Sequence, residues 1–368
     1  MKILLIRQSL HGGGAERVVV SLANKMTEQG HDVTIYITDD IIEYDLHEEV
    51  TVVKSSLSEK TKNIESKMIS KLGNLAFSIT SLFHVFSLRK DLKLNEYDKI
   101  YIHSISSLLR FQYLFKKNVY AVYHASKSDL LLKNRNKLQK IKNIFALKMS
   151  SLGKGIVCVS EGIKFDLEEC FGICNAKVIY NPFDLDMIRN QAEINHDNVD
   201  IAKFGSYILN VGRLQYQKNQ EQLIKAFFHV SDKFDSLLLL GVGPDDKNLK
   251  KLVISYGLEE RVFFLGYTSN PYFYMKHATV FVLSSRFEGF GNVLVEALAC
   301  NCPVISSNCN YGPNEIMINS LSYWLYNQED TQELTEKLTE FDSEKYRISD
   351  SDLIRFSDDI SVMKYLNN

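Results

Sequence analysis

The stretch Phe287-Glu288-Gly289-Phe290-Gly291-Asn292-Val293-Leu294-Val295-Glu296 places two carboxylates eight positions apart, across a glycine turn and the start of a helix. Gly289 and Gly291 allow a tight turn and a close approach of backbone to a ligand. From Asn292 onward, Val293, Leu294, Ala297 and Leu298 have the spacing of a helix packed on a core. Its first turn offers N–H groups to an anion. Glu296 lies a full turn inside that helix, where a carboxylate facing a diphosphate would only repel it, so its expected partner is a neutral diol such as a ribose. Glu288 precedes the helix and is placed to reach a hydroxyl beyond the phosphates. This is the layout of a nucleotide-sugar pocket. Two arbitrary glutamates would be solvated surface acids, and the flanking sequence argues against that reading here.

Upstream, an apolar run at 207–211 leads into Gly212-Arg213-Leu214 and then Lys218. A rigid guanidinium and a mobile ammonium just past a strand end both suit a diphosphate. They would also stabilise it as a leaving group. Strand-like runs alternate with helical ones along nearly the whole chain, the pattern of parallel sheets with crossover helices. Strands are expected at 2–6, 33–37, 99–103, 119–123, 155–159 and 178–180, then at 207–211, 237–240, 262–265, 280–283 and 303–306. Helices are expected at 14–29, 63–94, 130–150 and 160–170, and the polar stretch from Asn181-Pro182 to about Lys203 reads as a linker.

The expected fold is therefore α/β, with two Rossmann-like domains whose parallel sheets face a central cleft and bind ligands at the carboxyl ends of their strands. The first domain spans 1–183, and the second spans 184–350 with the linker at its start. A terminal segment, 351–368, carries Phe356, Ile360, Met363 and Leu366 at helical spacing and is expected to pack back on the first domain.

The 368 residues suffice for two cores. A net charge of −2 makes the molecule as a whole no nucleic-acid binder, so charged partners must meet local patches. Six cysteines without C-x2-C spacing, and with no histidine cluster near them, point to buried thiols in a reducing cytoplasm rather than to zinc or disulfides. Met1 leads straight into a strand, so no signal peptide is expected. The longest apolar stretch, 75–88, is too short to span a bilayer.

Further motifs carry less weight singly. The loop His11-Gly12-Gly13-Gly14-Ala15-Glu16-Arg17 follows the first strand, where a dinucleotide fold has G-x-G-x-x-G. Arg17 takes the third glycine's place, although Asp39 and Asp40 could imitate a ribose-binding acid. Asp184-Leu185-Asp186 has metal-binding spacing, but a helix cap at Asp184 fits better. His124 ends an apolar strand and can face a ligand or serve as an ordinary hydrogen-bonded histidine. Between Lys127 and Lys154 lie eight basic residues, among them Lys133, Arg135, Lys137, Lys140 and Lys142, interleaved with leucines and isoleucines. Such a face suits an anionic membrane surface. Aromatic stacking platforms for nucleic acid are absent from it, and a plain solvated helix face stays open.

Gly-Gly-Ala-Glu-Arg-Val at 13–18, Asn181-Pro182, Val-Gly-Arg-Leu at 211–214 with Lys218, and the paired glutamates followed by Pro303-Val304-Ile305 together resemble the retaining GT-B glycosyltransferases of family 4. The likeness runs over nearly the whole chain and is greatest to bacterial enzymes that extend lipid-linked oligosaccharides. It implies that Arg213 and Lys218 hold the donor diphosphate, that Glu296 holds the ribose, and that Glu288 contacts the transferred sugar. It also implies backbone at Asn292, Val293 and Leu294 near the phosphates, Gly13 and Gly14 closing the donor site, His124 approaching the donor sugar, and Gly266 and Tyr267 near the base. Asn292 departs from the apolar residue of many members.

The implied reaction moves a hexose or N-acetylhexosamine from a UDP-sugar, with retention and without a required metal or other cofactor. The implied acceptor is a lipid-linked oligosaccharide carried on undecaprenyl diphosphate, and the implied location is cytoplasmic, peripheral on the inner face of the membrane. A UDP-sugar epimerase and an inactive nucleotide-sugar-binding assembly factor remain alternatives.

Overall fold

Thirteen strands build two wholly parallel sheets in the computed structural model, which describes residues 1–133 and 135–368. In the first sheet, β1 (Lys2–Arg7), β2 (Asp32–Ile37), β3 (Thr51–Lys54), β4 (Lys99–His103), β5 (Val119–Tyr123), β6 (Gly155–Cys158) and β7 (Lys177–Val178) lie in the order β3-β2-β1-β4-β5-β6-β7. In the second, β8 (Tyr207–Val211), β9 (Ser236–Leu240), β10 (Val262–Gly266), β11 (Val280–Leu283), β12 (Val304–Ser307) and β13 (Leu325–Tyr326) lie in the order β10-β9-β8-β11-β12-β13. Runs such as Ile3-Leu4-Leu5-Ile6 and Leu237-Leu238-Leu239-Leu240 are buried throughout. Strands covered on both faces by crossover helices require that continuity. Strand order reverses beside β1 and again beside β8, and each reversal creates a ligand-binding position at the carboxyl edge.

The chain divides into two units, Met1–Pro182 with Asp358–Asn368, and Phe183–Ser357. The stretch from Asp350 to Phe356 thus belongs to the second unit, and only the last helix, Asp358–Leu366, joins the first. That helix buries Ser361, Val362 and Tyr365 and exposes Met363, so its inner face is not the Phe356, Ile360, Met363 and Leu366 series. The carbonyl of Asn368 accepts from Lys99 Nζ and Tyr120 Oη, both at 2.9 Å, which satisfies the end of the chain with donors from β4 and β5.

Two further expectations are corrected. The stretch after Asn181-Pro182 is no bare linker: Leu185–Ala192 is a helix, and Ile188 and Ala192, four apart, are its only fully buried residues. One buried stripe that narrow leaves a polar sequence. The helix expected at 63–94 is two, Glu59–Leu72 and Phe77–Asp91, parted at Gly73, whose φ of 59° a residue with a side chain seldom adopts. No helix among the described residues is long and apolar enough to cross a membrane.

Candidate functional site

In the second unit the loops after β8, β9 and β10 are bonded to one another. Gly212 N–H donates to Leu240 O at 2.9 Å, Leu214 N–H to Val242 O at 3.1 Å, and Gly241 N–H to Gly266 O at 2.7 Å. A Cβ on Gly241 would lie 2.1 Å from the Gly212 carbonyl oxygen, so only glycine permits this approach. The sequence reading passed over this Gly241-Val242-Gly243 turn, although a glycine pair directly after an all-leucine strand is the signal for one.

Lys218 ends a short turn, Tyr216–Lys218, and its Nζ lies 2.5 Å from Glu288 Oε1. Ser285 Oγ donates to the same oxygen at 2.6 Å, Ser284 Oγ donates to the Lys218 carbonyl at 2.8 Å, and Gln217 Nε2 donates to Phe287 O at 2.8 Å. The ammonium expected to be mobile is thus fixed, and the carboxylate expected to be free on its loop is fixed with it. Glu288 N–H and C=O bond Asn310 O and Tyr311 N, which anchors the loop from the other side. Burial and then the Glu288 charge push the Cys309 thiol up to about 12, so it is an inert neighbour.

Arg213 is exposed, and its guanidinium has no ion-pair partner among the described residues. Gly291, left-handed at φ 96°, turns the chain into the helix Asn292–Ala299, as the glycine pattern required. The Leu294 side chain is in the core, and its N–H donates to Gly291 O at 2.8 Å. Glu296 is buried within this helix, Gly266 closes β10 at φ 74°, and Tyr267 beyond it is exposed. Asp184 accepts from Met187 N–H at 2.8 Å and is a helix cap, while Asp186 pairs with Arg189. Among the described residues no cluster of three metal-ligating side chains occurs.

The carboxyl edge of the first sheet has different chemistry. His103, ending β4, and His124, following β5, share a hydrogen bond of 2.9 Å between Nδ1 and Nε2, with rings stacked at 5.2 Å. Burial, then the Arg7 charge, lowers His103 to about 3. Burial, then His103 and Arg7, holds His124 far below the ordinary histidine range. Both rings are neutral at pH 7. With Nε2 engaged, His124 retains Nδ1, which is buried without a partner among the described residues, to meet a hydroxyl.

Arg7 pairs with Glu16 on the helix that follows the glycine loop, and Tyr44 Oη bonds both the N–H and the C=O of Gly13 at 3.1 Å. Gly14 is exposed at the start of that helix. Lys127 is buried, and burial, partly offset by Asp166, lowers it to about 8. The Asp166 carboxylate accepts from Lys127 N–H at 2.6 Å and Ser128 N–H at 3.1 Å. Arg7, His103 and Asp166 were not singled out from the sequence. For Arg7 and His103 the signal was a charged or imidazole residue ending an apolar strand, whereas Asp166 lies within the helix Glu161–Phe171 and had no such signal.

Lys133, Arg135, Lys137, Lys140 and Lys142 are all exposed, as are Leu138, Ile141 and Phe145 among them. Lys127 and Lys154 do not belong to this face: both are buried, and Lys154 Nζ donates to Gln112 O at 2.9 Å.

Two family models match in tandem, one described as "Glycosyltransferase Family 4" over residues 12–187 and one as "Glycosyl transferases group 1" over residues 191–355. The chain belongs to the family 4 glycosyltransferases. It is similar to the Campylobacter jejuni "N-acetylgalactosamine-N,N'-diacetylbacillosaminyl-diphospho-undecaprenol 4-alpha-N-acetylgalactosaminyltransferase", at 28% identity over 318 residues, 86% of this chain and 83% of that protein. It is also similar to the "Amylovoran biosynthesis glycosyltransferase AmsD" of Erwinia amylovora, at 24% identity over 86% of this chain and 83% of that one. The crystal structure of Anabaena HepE in complex with UDP superposes with a TM-score of 0.73 at 19% identity, over 100% of this chain and 99% of that one. The GT-B fold of this glycosyltransferase is thereby established, and its two parallel sheets are the two halves of that fold.

Proposed function

We propose that this glycosyltransferase moves a hexose or N-acetylhexosamine from a UDP-sugar to a lipid-linked oligosaccharide during bacterial surface polysaccharide or glycan synthesis, with retention at the anomeric carbon. The observation that carries the proposal is the fixed Lys218, Glu288 and Ser285 cluster, in the same unit as exposed Arg213 and the glycine-led helix Asn292–Ala299. In this reading Arg213, Lys218 and the first turn of the helix grip the diphosphate, Glu296 the ribose, and Gly266 and Tyr267 the base. Glu288 and the His124 imidazole address the transferred sugar. The acceptor class is supported by the Campylobacter relative, whose name specifies a diphospho-undecaprenol substrate, and the UDP donor by HepE, solved with UDP.

Electrostatic stabilisation of the departing diphosphate supplies the catalysis, and its oxygen takes the acceptor proton, so no enzymic base is needed. A bound metal is not required, because cationic side chains and helix amides take the diphosphate charge. The test offers a panel of UDP-sugars with undecaprenyl diphosphate-linked acceptors of increasing length and reads product mass and linkage. Epimerised UDP-sugar without acceptor, or no turnover with any acceptor, overturns the transferase reading.

We also propose that the enzyme is peripheral on the inner face of the cytoplasmic membrane, held there by Lys133, Arg135, Lys137, Lys140 and Lys142 with the exposed Leu138, Ile141 and Phe145. Each cation near an anionic surface contributes about 1 kcal/mol. The neighbouring helix Phe77–Asp91 exposes Leu82, Phe83 and Phe86 and so adds apolar area. Vesicle sedimentation that ignores lipid charge rules this out.

A further inference from the structure

The first unit holds a cavity of about 220 Å³ beyond the carboxyl ends of β2 and β3, separate from the residues assigned above. Its lining includes Thr38, Asp39, Ser55, Glu65, His84 and Arg110. Glu65 and His84 are buried, and Glu65 organises the other two: Oε2 meets His84 Nε2 at 3.1 Å and Oε1 accepts from Arg110 Nε at 3.1 Å. Burial alone would raise the Glu65 carboxyl, but the His84 and Arg110 contacts hold it below the ordinary carboxylate range, so it is ionised.

The ionised Glu65 carboxylate takes the His84 Nε2–H, so the other ring nitrogen, Nδ1, is left for a further partner. That Nδ1 is buried without a partner among the described residues, and so is Nη1 of Arg110, a donor. Buried polar atoms are costly to leave unmatched. Asp39 is fixed on the rim by Gln8 Nε2 at 2.8 Å.

An unmatched imidazole nitrogen and an unmatched guanidinium donor, with hydroxyl-bearing walls, fit the hydroxyl groups of a ring, each of which donates and accepts. An anion fits badly. The Arg110 charge is already opposed by Glu65, Lys62 is opposed by Glu59 at 3.1 Å, and the Asp39 carboxylate would repel it. Ile69 supplies an apolar wall for the face of a ring. The volume is that of one sugar residue rather than a chain.

We propose that this cavity binds a single uncharged pyranose, one monosaccharide unit of the acceptor glycan, through Arg110, His84 and Asp39. As an acceptor subsite the assignment rests on the transferase reading, but its test does not need turnover. Methyl glycosides of glucose, galactose, N-acetylglucosamine and N-acetylgalactosamine are offered to the full chain, and binding is read by saturation-transfer NMR in the presence and absence of UDP. A ligand of that size is expected to bind with a dissociation constant on the order of millimolar.

Ser66→Trp closes the mouth of the cavity from an exposed helix position, and Arg110→Lys removes the unmatched donor while keeping the charge opposite Glu65. At least one glycoside should bind the parent and bind both variants tenfold or more weakly, with UDP affinity unchanged within twofold. No glycoside binding to the parent, equal binding to parent and variants, or displacement of the glycoside by inorganic phosphate each overturns the proposal. The UDP arm reads separately: a chain that takes the glycoside but not UDP would retain this site and lose the donor reading.

Discussion

The two sheets share a strand order around β1 and β8, yet their carboxyl edges are built from opposite electrostatics. Past β8 and β11, formal charges are kept: Lys218 is paired with Glu288 at 2.5 Å, and Arg213 in the same unit is exposed. Past β4 and β5, two imidazoles share one hydrogen bond and stay neutral, while Lys127, lowered to about 8 by burial, keeps its charge at pH 7 near Asp166. A charged edge can hold a diphosphate and take up the charge that develops as it leaves. A neutral, buried imidazole pair can hydrogen-bond a hydroxyl without protonating it. In the proposed function the same topology serves an ionic and a non-ionic ligand group, and the difference lies in which side chains end the strands.

The largest effect is expected where the paired charges are broken. Lys218→Ala leaves the buried Glu288 carboxylate with Ser285 Oγ as its side-chain donor, and removing one partner of a buried pair costs about 3–5 kcal/mol. Turnover should fall about 10²–10³-fold, the scale of losing one preorganised donor. The single tryptophan, Trp324, lies in the second unit, so its fluorescence during urea unfolding reports that unit. Glu288→Gln keeps an acceptor for Ser285 and should lose comparable activity with a smaller shift in the midpoint. Turnover of Lys218→Ala within threefold of the parent would mean that the charged edge is structural only.

The charged edge was legible because its parts lie in short motifs, Gly212-Arg213 with Lys218 and the two glutamates around Gly289 and Gly291. The spacing alone placed the helix Asn292–Ala299. The neutral edge was not legible beyond His124. Arg7, His103, Lys127 and Asp166 come from four separate elements, and only the sheet order brings them together. In the fold, the long buried strands announced themselves, while β3, half-exposed, and β13, two residues long, offered no apolar run to read. The helix Leu185–Ala192 was lost for a related reason, since two buried residues leave almost no periodic signal.

A second way to sharpen the contrast is acidity. The histidines have pKa values below their unfolded value of about 6.5, so the unfolded chain binds more protons as pH falls and stability is lost from pH 6.5 down towards the folded value, about 3 for His103. The loss is about 1.4 kcal/mol per pH unit for each imidazole. The two lysines lowered to about 8, Lys127 and Lys154, act at the other end of the scale: from pH 8 to about 9, below the range where the buried Cys158 thiol and tyrosines oppose them, they hold more protons in the unfolded chain, so stability rises with pH. Both trends belong to the first unit. Circular dichroism should therefore show an acid-sensitive transition that Trp324 fluorescence does not follow. Matching pH dependence in both signals would dissolve the distinction between the edges.

The smallest effect concerns Asp184, where a metal site and a helix cap make different demands on one carboxylate. As a cap, it satisfies Met187 N–H at 2.8 Å, and Asp184→Ala should cost about 1 kcal/mol of stability in the second unit. Asp184→Asn should cost less, because its amide oxygen can accept the same bond. A metal ligand would behave otherwise: activity of the parent would fall with EDTA and return with a divalent cation, and Asp184→Ala would abolish that response. The cap predicts equal turnover with and without chelator in parent and variant alike. Asp186 meanwhile faces Arg189 at 3.7 Å on the same helix, so in this structure the two carboxylates have separate partners.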